Sequence, residues 1–286
     1  MKESIIGIIG GSGLYSMSEL KILKEKKVKT PFGNPSDALI FGELKGRKVV
    51  FLSRHGRGHV YSPSEINYRA NIYALKSVGV EQIISVSATG SMKEHIAPGH
   101  MVVVDQFVDR TRNRPTTFFE NGIVAHASFA HPVCPHLMEA VYGATVKTGV
   151  KVHKGGTYVC IEGPMFSSRA ESNVYRSWNV DVIGMTNYQE ARLAREAEIC
   201  YVTLALVTDY DCWHESEEIV DASMVIETVK KNVRNAQLIL QNAMGGIATK
   251  RNCSCQNALN GAIMTDPKKI QKSVIQRLKP IVRKYL

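Results

Sequence analysis

The segment that most constrains the fold of this chain is YVTLALVTDYDCW, which runs from Tyr201 to Trp213. It begins with a mostly apolar stretch of strand length, which is typical of a strand buried on both faces of a parallel sheet. Asp209 and Asp211 follow this stretch directly. Because open α/β sheets bind ligands beyond the carboxyl ends of their strands, the two acids predict a binding site there.

Strand-like and helix-like segments alternate along the rest of the chain. The strand-like segments are residues 5–9, 48–52, 83–86, 100–104, 156–161 and 181–185, and the helix-like segments are residues 65–78, 135–149, 168–178 and 189–197. This alternation predicts a single α/β domain with a central mixed, mostly parallel sheet flanked by helices. After Trp213 an amphipathic helix (224–244), a polar segment (245–260) and a basic amphipathic helix (268–286) are predicted.

Composition and charge limit the classes of protein to which the chain can belong. It has 286 residues, of which 44% are hydrophobic and 22% are charged, as in ordinary globular proteins. We expect a cytoplasmic protein without a membrane span, because no apolar run is long enough and the N-terminus leads into a strand rather than a signal peptide. The net charge of +10 is spread along the chain without interleaved aromatic residues, so we expect an anionic small substrate and no nucleic acid.

Several predicted strand ends carry groups that favour phosphate binding, and parallel strand ends share one edge of a sheet. Gly10-Gly11-Ser12-Gly13 offers backbone N–H groups and a hydroxyl that can cradle an anion, although a tight turn alone also explains the glycines. Arg54 adds a guanidinium with two parallel donors, and Ser87 and Thr186 add hydroxyls. No Walker lysine follows the glycines, so we expect free phosphate rather than a nucleoside triphosphate.

The two acids after the buried strand have three possible roles. They could bind a metal, with Asp105 as a third ligand, but no other acid or histidine cluster supports this. A nucleophilic aspartate would resemble the phosphatase arrangement, which is expected on the first strand instead. The third role is hydrogen bonding to a polar heterocycle, because a buried aspartate can hold a proton and donate it to a leaving group.

Longer motifs make the chain similar to a known family. They are IIGIIGGSGLY from Ile5, TPFGNPSDALIFG from Thr30, RHGRGHVYSPSEINYRANIYALK from Arg54, DQFVDRTRNRPTTFF from Asp105, IEGPMFSSRAES from Ile161 and VTDYDCWH from Val207. With them the chain resembles the trimeric purine nucleoside phosphorylases, and among these most closely the 5'-methylthioadenosine phosphorylases. The resemblance extends from about residue 5 to about residue 214, and the tail from about Gly245 is much less diagnostic.

The resemblance implies a role for each matching position. Phosphate would be held by Ser12, Arg54, His55, Ser87, Ala88 and Thr186. The nucleoside would be bound by Phe166, which stacks on the purine, by Met185 near the ribose, by Ile183 and Thr208, and by His126 reaching a neighbouring subunit's site. Asp209, Asp211 and Ser167 would form the catalytic group that reads the edge of the purine.

The resemblance also implies the reaction and the assembly. The expected reaction is phosphorolysis of 5'-methylthioadenosine to adenine and 5-methylthioribose 1-phosphate, with inorganic phosphate as co-substrate and neither a cofactor nor a metal. Residues 1–244 would form the catalytic domain, and residues 245–286 would be an extension of the same domain. We expect a homo-oligomer, either a trimer or a hexamer of two trimers.

Other functions stay open from the sequence. Two carboxylates accept hydrogen bonds from an exocyclic amine, so they suit adenine better than hypoxanthine. A broad-specificity purine nucleoside phosphorylase that accepts adenosine, inosine and guanosine is the first alternative. A metal-dependent phosphohydrolase and a non-catalytic nucleoside-binding protein are alternatives from other classes.

The six cysteines do not show the spacing of paired zinc knuckles, and a single C-x-C is poor evidence for zinc. Reduced thiols are the usual state in the cytosol, whereas hyperthermophiles are an exception that retains disulfides. Cys134 lies just before a predicted helix and Cys200 begins the buried strand, so we predict that these two form a disulfide. Cys253-Ser254-Cys255 resembles the C-x-C tail of archaeal members of the family, in which the vicinal cysteines bond or assist thiol exchange, so the resemblance makes Cys253 and Cys255 disulfide candidates.

Overall fold

The structure, a computed structural model, describes residues 3–215 and 222–286, and it leaves the side chains of residues 12 and 222–227 undescribed. The strands are β1 (Ile5–Gly10), β2 (Leu20–Lys26), β3 (Leu39–Leu44), β4 (Arg47–Ser53), β5 (Val80–Ser91), β6 (Met101–Val104), β7 (Gln106–Arg110), β8 (Val152–Lys154), β9 (Thr157–Ile161), β10 (Val182–Gly184) and β11 (Cys200–Asp209). The helices are α1 (Tyr68–Ser77), α2 (Pro135–Val146), α3 (Arg169–Ser177), α4 (Tyr188–Glu196), α5 (Ala222–Gly246) and α6 (Lys272–Val282).

All the strands belong to one mixed sheet. Its main path follows the order β2-β3-β4-β1-β5-β10-β9-β7, while β11 pairs with β5 and β6, and β8 pairs with β6. β1 is parallel to β4 and β5, β11 is parallel to β5, and β9 is parallel to β7 and β10. The antiparallel pairs involve β2 and β3, the short β10 against the end of β5, and β11 against β6. The predicted α/β class with a mixed, mostly parallel sheet is confirmed.

The buried strand β11 lies in the core of the molecule, with packed side chains on both of its faces. Side chains on one face, Val202, Leu204 and Leu206, pack in a cluster with residues of α2 and α5. On the other face Tyr201 packs with residues of α4 and α6. Because successive side chains of a strand point to opposite faces, a strand covered on both sides is mostly apolar, as the sequence predicted, and its buried Thr203 hydroxyl is hydrogen-bonded.

The sheet is larger than the sequence patterns indicated. β2 reads LKILKEK and exposes most of its side chains, because it is an edge strand that pairs on one side only. Residues 87–90 were expected to follow a strand, but they lie inside β5, which continues to Ser91 because its end pairs with β10. These edge and extension pairings carry no local hydrophobic period, so the sequence pattern does not predict them.

The last part of the chain packs against the sheet as an extension. α6 is shorter than the predicted helix and contains Pro280, while Leu278 and Ile281 are buried in the cluster beneath β1 and β5. Within residues 3–215 and 222–286, no helix is both long and apolar enough to cross a membrane.

All six cysteines fall in the described part of the chain and are free thiols, so the structure does not confirm the predicted disulfides Cys134–Cys200 and Cys253–Cys255. The expected proximity of Cys134 and Cys200 is present, but Cys253 and Cys255 join them in one group whose sulfur atoms lie within 4.8 Å of one another. Cys200 Sγ lies 3.2 Å from Cys253 Sγ, well beyond the bonded distance of about 2.05 Å. A shared four-thiol cluster therefore replaces the two predicted pairs.

Gly184 provides a test of packing at the end of β10. A Cβ atom at this position would lie 2.0 Å from Oη of Tyr158, which is fully buried on the neighbouring strand β9. We expect Gly184→Ala to lower the free energy of unfolding by about 1–3 kcal/mol, because the buried ring has to move. Urea denaturation monitored by circular dichroism measures this change.

The matched control for Gly184 is Gly143→Ala in α2, where no atom lies within 4 Å of the added Cβ. A helical Gly→Ala change at an open position raises stability by roughly 0.5–1 kcal/mol. Equal unfolding midpoints for the two variants would contradict the described packing.

Candidate active site

A cavity of about 490 Å³ opens where several strands end, a size that suits a small molecule. Its lining comes from Gly11 after β1, the residues after β4, the second half of β5, the end of β10 and the end of β11. Among the predicted site residues, the structure brings together Arg54, His55, Ser87, Ala88, Phe166, Ser167, Ile183, Met185, Thr186, Thr208, Asp209 and Asp211. Their individual roles stay predictions.

Two predicted site residues are not part of this set. Ser12 begins the short 3-10 turn that follows β1, and its side chain lies outside the described residues. His126 is exposed and is not among the described residues that line the cavity. Its backbone N–H donates to the carbonyl of Ala262. The predicted role of His126 in a neighbouring subunit's site therefore stays a prediction.

Arg54 is buried beside the cavity and is ion-paired with Glu190 of α4. Its Nε donates to Glu190 Oε1 at 2.6 Å, Nη1 donates to the carbonyl of Val86 at 2.9 Å, and Nη2 donates to Ser85 Oγ at 2.6 Å and to Glu190 Oε2 at 3.3 Å. Burial alone would raise the pKa of Glu190, but the charge and hydrogen bonds of Arg54 outweigh it and hold this pKa below its usual value. Glu190 therefore stays ionised and fixes the direction of the guanidinium.

Beneath this ion pair lies a buried hydrogen-bond network that the sequence analysis did not find. Asn187 Nδ2 lies 2.9–3.1 Å from Ser85 Oγ, Tyr201 Oη and Thr203 Oγ1, and its two N–H groups are shared among these three acceptors. Asn187 has a positive φ of 77°, a conformation that asparagine tolerates better than most residues. Tyr201 Oη also donates to Glu190 Oε2 at 3.0 Å. The network thus ties the start of α4 to β5 and β11 directly below the cavity.

His55 presents a neutral imidazole to the cavity. Burial, followed by the charge of Arg54, lowers the pKa of His55 to about 4. Its Nδ1 lies 2.8 Å from the carbonyl oxygen of Tyr61, which can only accept, so Nδ1 carries the proton and Nε2 is left as an acceptor. The ring stacks on His59, with 4.1 Å between the ring centroids. A neutral His55 can accept a hydrogen bond from a protonated phosphate oxygen.

Two hydroxyls face Arg54 across the same end of the cavity. Ser87 Oγ lies 3.4 Å from Thr186 Oγ1, and the Thr186 hydroxyl donates to Asn187 Oδ1 at 2.9 Å. One of the five guanidinium N–H groups of Arg54 has no assigned acceptor among the described residues. Hydroxyls, a guanidinium and the backbone at Gly11 together suit an oxyanion.

The opposite end of the cavity contains the acid pair, whose charges are relieved by donors of the chain itself. Asp209 Oδ1 accepts from the backbone N–H of Asp211 at 2.9 Å, and Oδ2 accepts from the Thr208 hydroxyl at 2.5 Å. Asp211 is buried, and its Oδ2 accepts from the Ser172 hydroxyl at 2.5 Å. Gly90 makes room for this arrangement, because a Cβ there would lie 2.8 Å from Asp209 Oδ1.

The geometry argues against a metal site made by these acids. Asp105, the predicted third ligand, does not line the cavity as described, and its Oδ1 accepts from the backbone N–H of Gly156 at 3.0 Å. The three aspartates therefore do not converge on one point, as the ligands of a metal must.

Next to the acid pair, Ser167 and Phe166 provide an unused hydroxyl and an open ring. Ser167 Oγ is buried and has no hydrogen-bond partner among the described residues. Buried hydroxyls are normally hydrogen-bonded, so this one is available to a polar ligand in the cavity. Phe166 lines the same cavity with 51% of its surface exposed, which leaves a ring face available for stacking.

Arg114, which the sequence analysis did not single out, anchors the segment that carries these two residues. Its Nη2 donates to the carbonyl of Glu162, just before that segment, and its Nη1 donates to the carbonyl of Met185 at 2.6 Å. Arg114 therefore joins the 162–167 segment to the end of β10. The only sequence evidence for this role was its position inside the DQFVDRTRNRPTTFF motif.

Comparison with known proteins shows the family to which the chain belongs. The sequence model of the Phosphorylase superfamily matches residues 5–244. The chain belongs to this family. It is 55% identical to an S-methyl-5'-thioadenosine phosphorylase of Geobacter sulfurreducens, covering 99% of this chain and 100% of that one, and 54% identical to one of Koribacter versatilis, covering 99% and 97%.

Solved structures show the same fold. A crystal structure of a methylthioadenosine phosphorylase from an Antarctic soil metagenomic library is 47% identical, with a TM-score of 0.93 over 98% of this chain and 99% of that one. A methylthioadenosine phosphorylase from Schistosoma mansoni in complex with adenine is 34% identical, with a TM-score of 0.81 over 98% of both chains. The nucleoside phosphorylase fold expected from the sequence is therefore confirmed.

The ion pair between Arg54 and Glu190 leads to a stability prediction. Glu190→Ala leaves a buried guanidinium without its counter-charge, so we expect the free energy of unfolding to fall by about 3–5 kcal/mol. Urea denaturation measures it. Glu19→Ala, which removes the exposed partner of Lys45, is the control and should leave the unfolding midpoint nearly unchanged. Comparable small effects of both substitutions would show that Glu190 does not stabilise Arg54.

Proposed function

We propose that this protein catalyses the phosphorolysis of 5'-methylthioadenosine to adenine and 5-methylthioribose 1-phosphate. The observation that carries the proposal is a single cavity with hydroxyls and Arg54 at one end and carboxylates with the unpartnered Ser167 hydroxyl at the other. The names of relatives more than 50% identical over the whole chain support the choice of nucleoside.

The reaction requires two things of the protein. The bond between the ribose and N9 of the purine breaks through an oxocarbenium-like transition state, and the phosphate anion below the sugar stabilises the positive charge. The protein must hold this anion, a role that we assign to Arg54, His55, Ser87 and Thr186, which line the same cavity. It must also neutralise the leaving purine, which needs a proton donor at the other end of the cavity.

Asp209 is our choice for the group that shares a proton with N7 of the purine. It is only half-buried, it lines the cavity, and its side chain is oriented by the Thr208 hydroxyl and the backbone of Asp211. Asp211 and Ser167 would then bind the 6-amino group, and Phe166 would stack on the base. Carboxylates only accept hydrogen bonds when ionised, so this end favours a 6-amino over a 6-oxo purine.

The remaining features of the proposed enzyme follow from the family resemblance. Inorganic phosphate is a co-substrate, and the reaction needs no cofactor or metal. We propose a homo-oligomer, a trimer or a hexamer of two trimers, in which His126 reaches the 5'-substituent in a neighbouring subunit's cavity. A cytoplasmic location and the absence of nucleic-acid and membrane partners complete the proposal.

Phosphate dependence and base preference test this function. We expect adenine to be released from methylthioadenosine only when phosphate is present, with 5-methylthioribose 1-phosphate as the second product, both measured by liquid chromatography. Inosine should react roughly 10²-fold more slowly or worse, because its O6 cannot donate to the carboxylates. Release of adenine without phosphate would contradict phosphorolysis, and equal rates with inosine would indicate a broad-specificity enzyme instead.

The role of Asp209 is tested by an isosteric substitution. Asp209→Asn keeps the shape but cannot hold the transferable proton, so we expect kcat to fall on the order of 10²–10⁴-fold. Ser167→Ala removes one hydrogen bond to the base and should cost much less, on the order of 10-fold. Steady-state kinetics with methylthioadenosine at saturating phosphate separates the two. Equal, mild losses in both variants would refute the assignment.

A further inference from the structure

Four cysteines that are far apart in the sequence meet at the opposite end of β11 from Asp209. Cys134 precedes the first turn of α2, Cys200 is the first residue of β11, and Cys253 and Cys255 lie in the segment after α5. All four are buried, with Cys253 the most exposed at 8%. Their sulfur atoms all lie within 4.8 Å of one another.

The spacing of these sulfur atoms suits four ligands around a common atom. A metal with bonds to sulfur of about 2.3 Å places tetrahedral ligands about 3.8 Å from each other. The sulfur atoms of Cys200 and Cys253 are 3.2 Å apart, and the whole set stays within 4.8 Å. Small movements of the side chains bring such a set to the tetrahedral distance.

We propose that Cys134, Cys200, Cys253 and Cys255 bind one Zn²⁺ ion as a closed tetrahedral site. Four thiolates are the ligand set of structural zinc sites, and a d¹⁰ ion accepts this geometry without preference of its own. Binding is balanced by the release of one proton from each thiol, so the four-coordinate site carries a net charge of −2. No oxidant is needed, in contrast to the formation of two disulfides.

The surroundings provide access and compensating charge. A second cavity of about 370 Å³ is lined by Cys134, Cys200 and Cys253, which gives an ion a route to the thiols. Arg251 lines the same cavity, and the charge of Arg195 acts on Cys255. Arg195 Nε is buried without a hydrogen-bond partner among the described residues. Arg195 and Arg251, the latter also ion-paired with Glu81, therefore supply positive charge near the cluster.

The proposed site is structural and lies away from the reaction. It joins the start of α2, the start of β11 and the C-terminal extension, whose apolar side chains also meet in one cluster. A metal that binds only the folded arrangement adds its binding free energy to folding. The zinc thus fastens the extension to the strand that carries Asp209.

Metal content tests the proposal directly. The full-length protein is produced in zinc-supplemented medium, purified without chelators and measured by inductively coupled plasma mass spectrometry. We expect about one zinc per chain. Cys255→Ser and Cys134→Ser should reduce it to near zero, whereas Cys212→Ser, which removes a thiol outside the cluster, should retain it. Cobalt-substituted wild-type protein should show the strong visible absorption of tetrahedral Co²⁺ bound by thiolates.

A measurement on the wild-type protein tests zinc binding even if the serine variants fail to fold. Titration with an organomercurial should release zinc, read with a chromogenic chelator, in step with the modification of four thiols. Metal-free protein would overturn the proposal, whether peptide mapping finds Cys134–Cys200 and Cys253–Cys255 disulfides or free thiols. Iron in place of zinc would overturn the choice of metal.

Discussion

The buried ion pair between Arg54 and Glu190 is the interaction on which the arrangement of the cavity depends. Removing two charges from water costs several kcal/mol per ion, which only close pairing and additional hydrogen bonds offset. Both conditions are met, because Glu190 also accepts hydrogen bonds from Ser85 and Tyr201. The pair connects the end of β4, the middle of β5 and the first turn of α4. The ion pair thereby holds together three elements that are distant in sequence, next to the edge of the sheet where the cavity opens.

The two ends of the cavity contain charges of opposite sign, which are stabilised in different ways. At the end with Arg54, Glu190 balances the guanidinium charge and His55 is neutral, so a bound anion would rely on directed donors rather than on excess charge. At the acid end, Asp209 and Asp211 are stabilised by the backbone and by Thr208 and Ser172, without a cation. The carboxylates are therefore fixed in direction before a ligand arrives, which reduces the reorganisation needed at the transition state.

The sequence predicted the fold class, the buried strand and the convergence of strand ends, because each depends on a local pattern of apolar and polar residues. It did not predict the buried contacts of Glu190, Asn187 and Ser172. These contacts depend on how helices α3 and α4 are oriented against the sheet, which a local sequence pattern does not show. The cysteines show the same limit: Cys134 and Cys200 were expected to meet, but their approach to Cys253 and Cys255 depends on how the C-terminal extension packs.

Some residues of the candidate site lie on strands of the sheet, and others lie on loops that are less firmly packed. Asp209 is the last residue of β11 and pairs with Gly90 of β5 after a register shift, so its place depends on the sheet. Phe166 and Met165 lie on an exposed segment that Arg114 anchors only at Glu162. Under the proposed function, the purine would therefore be bound by two kinds of element: Asp209 at the end of a sheet strand, and Phe166 and Ser167 on a segment that can adapt.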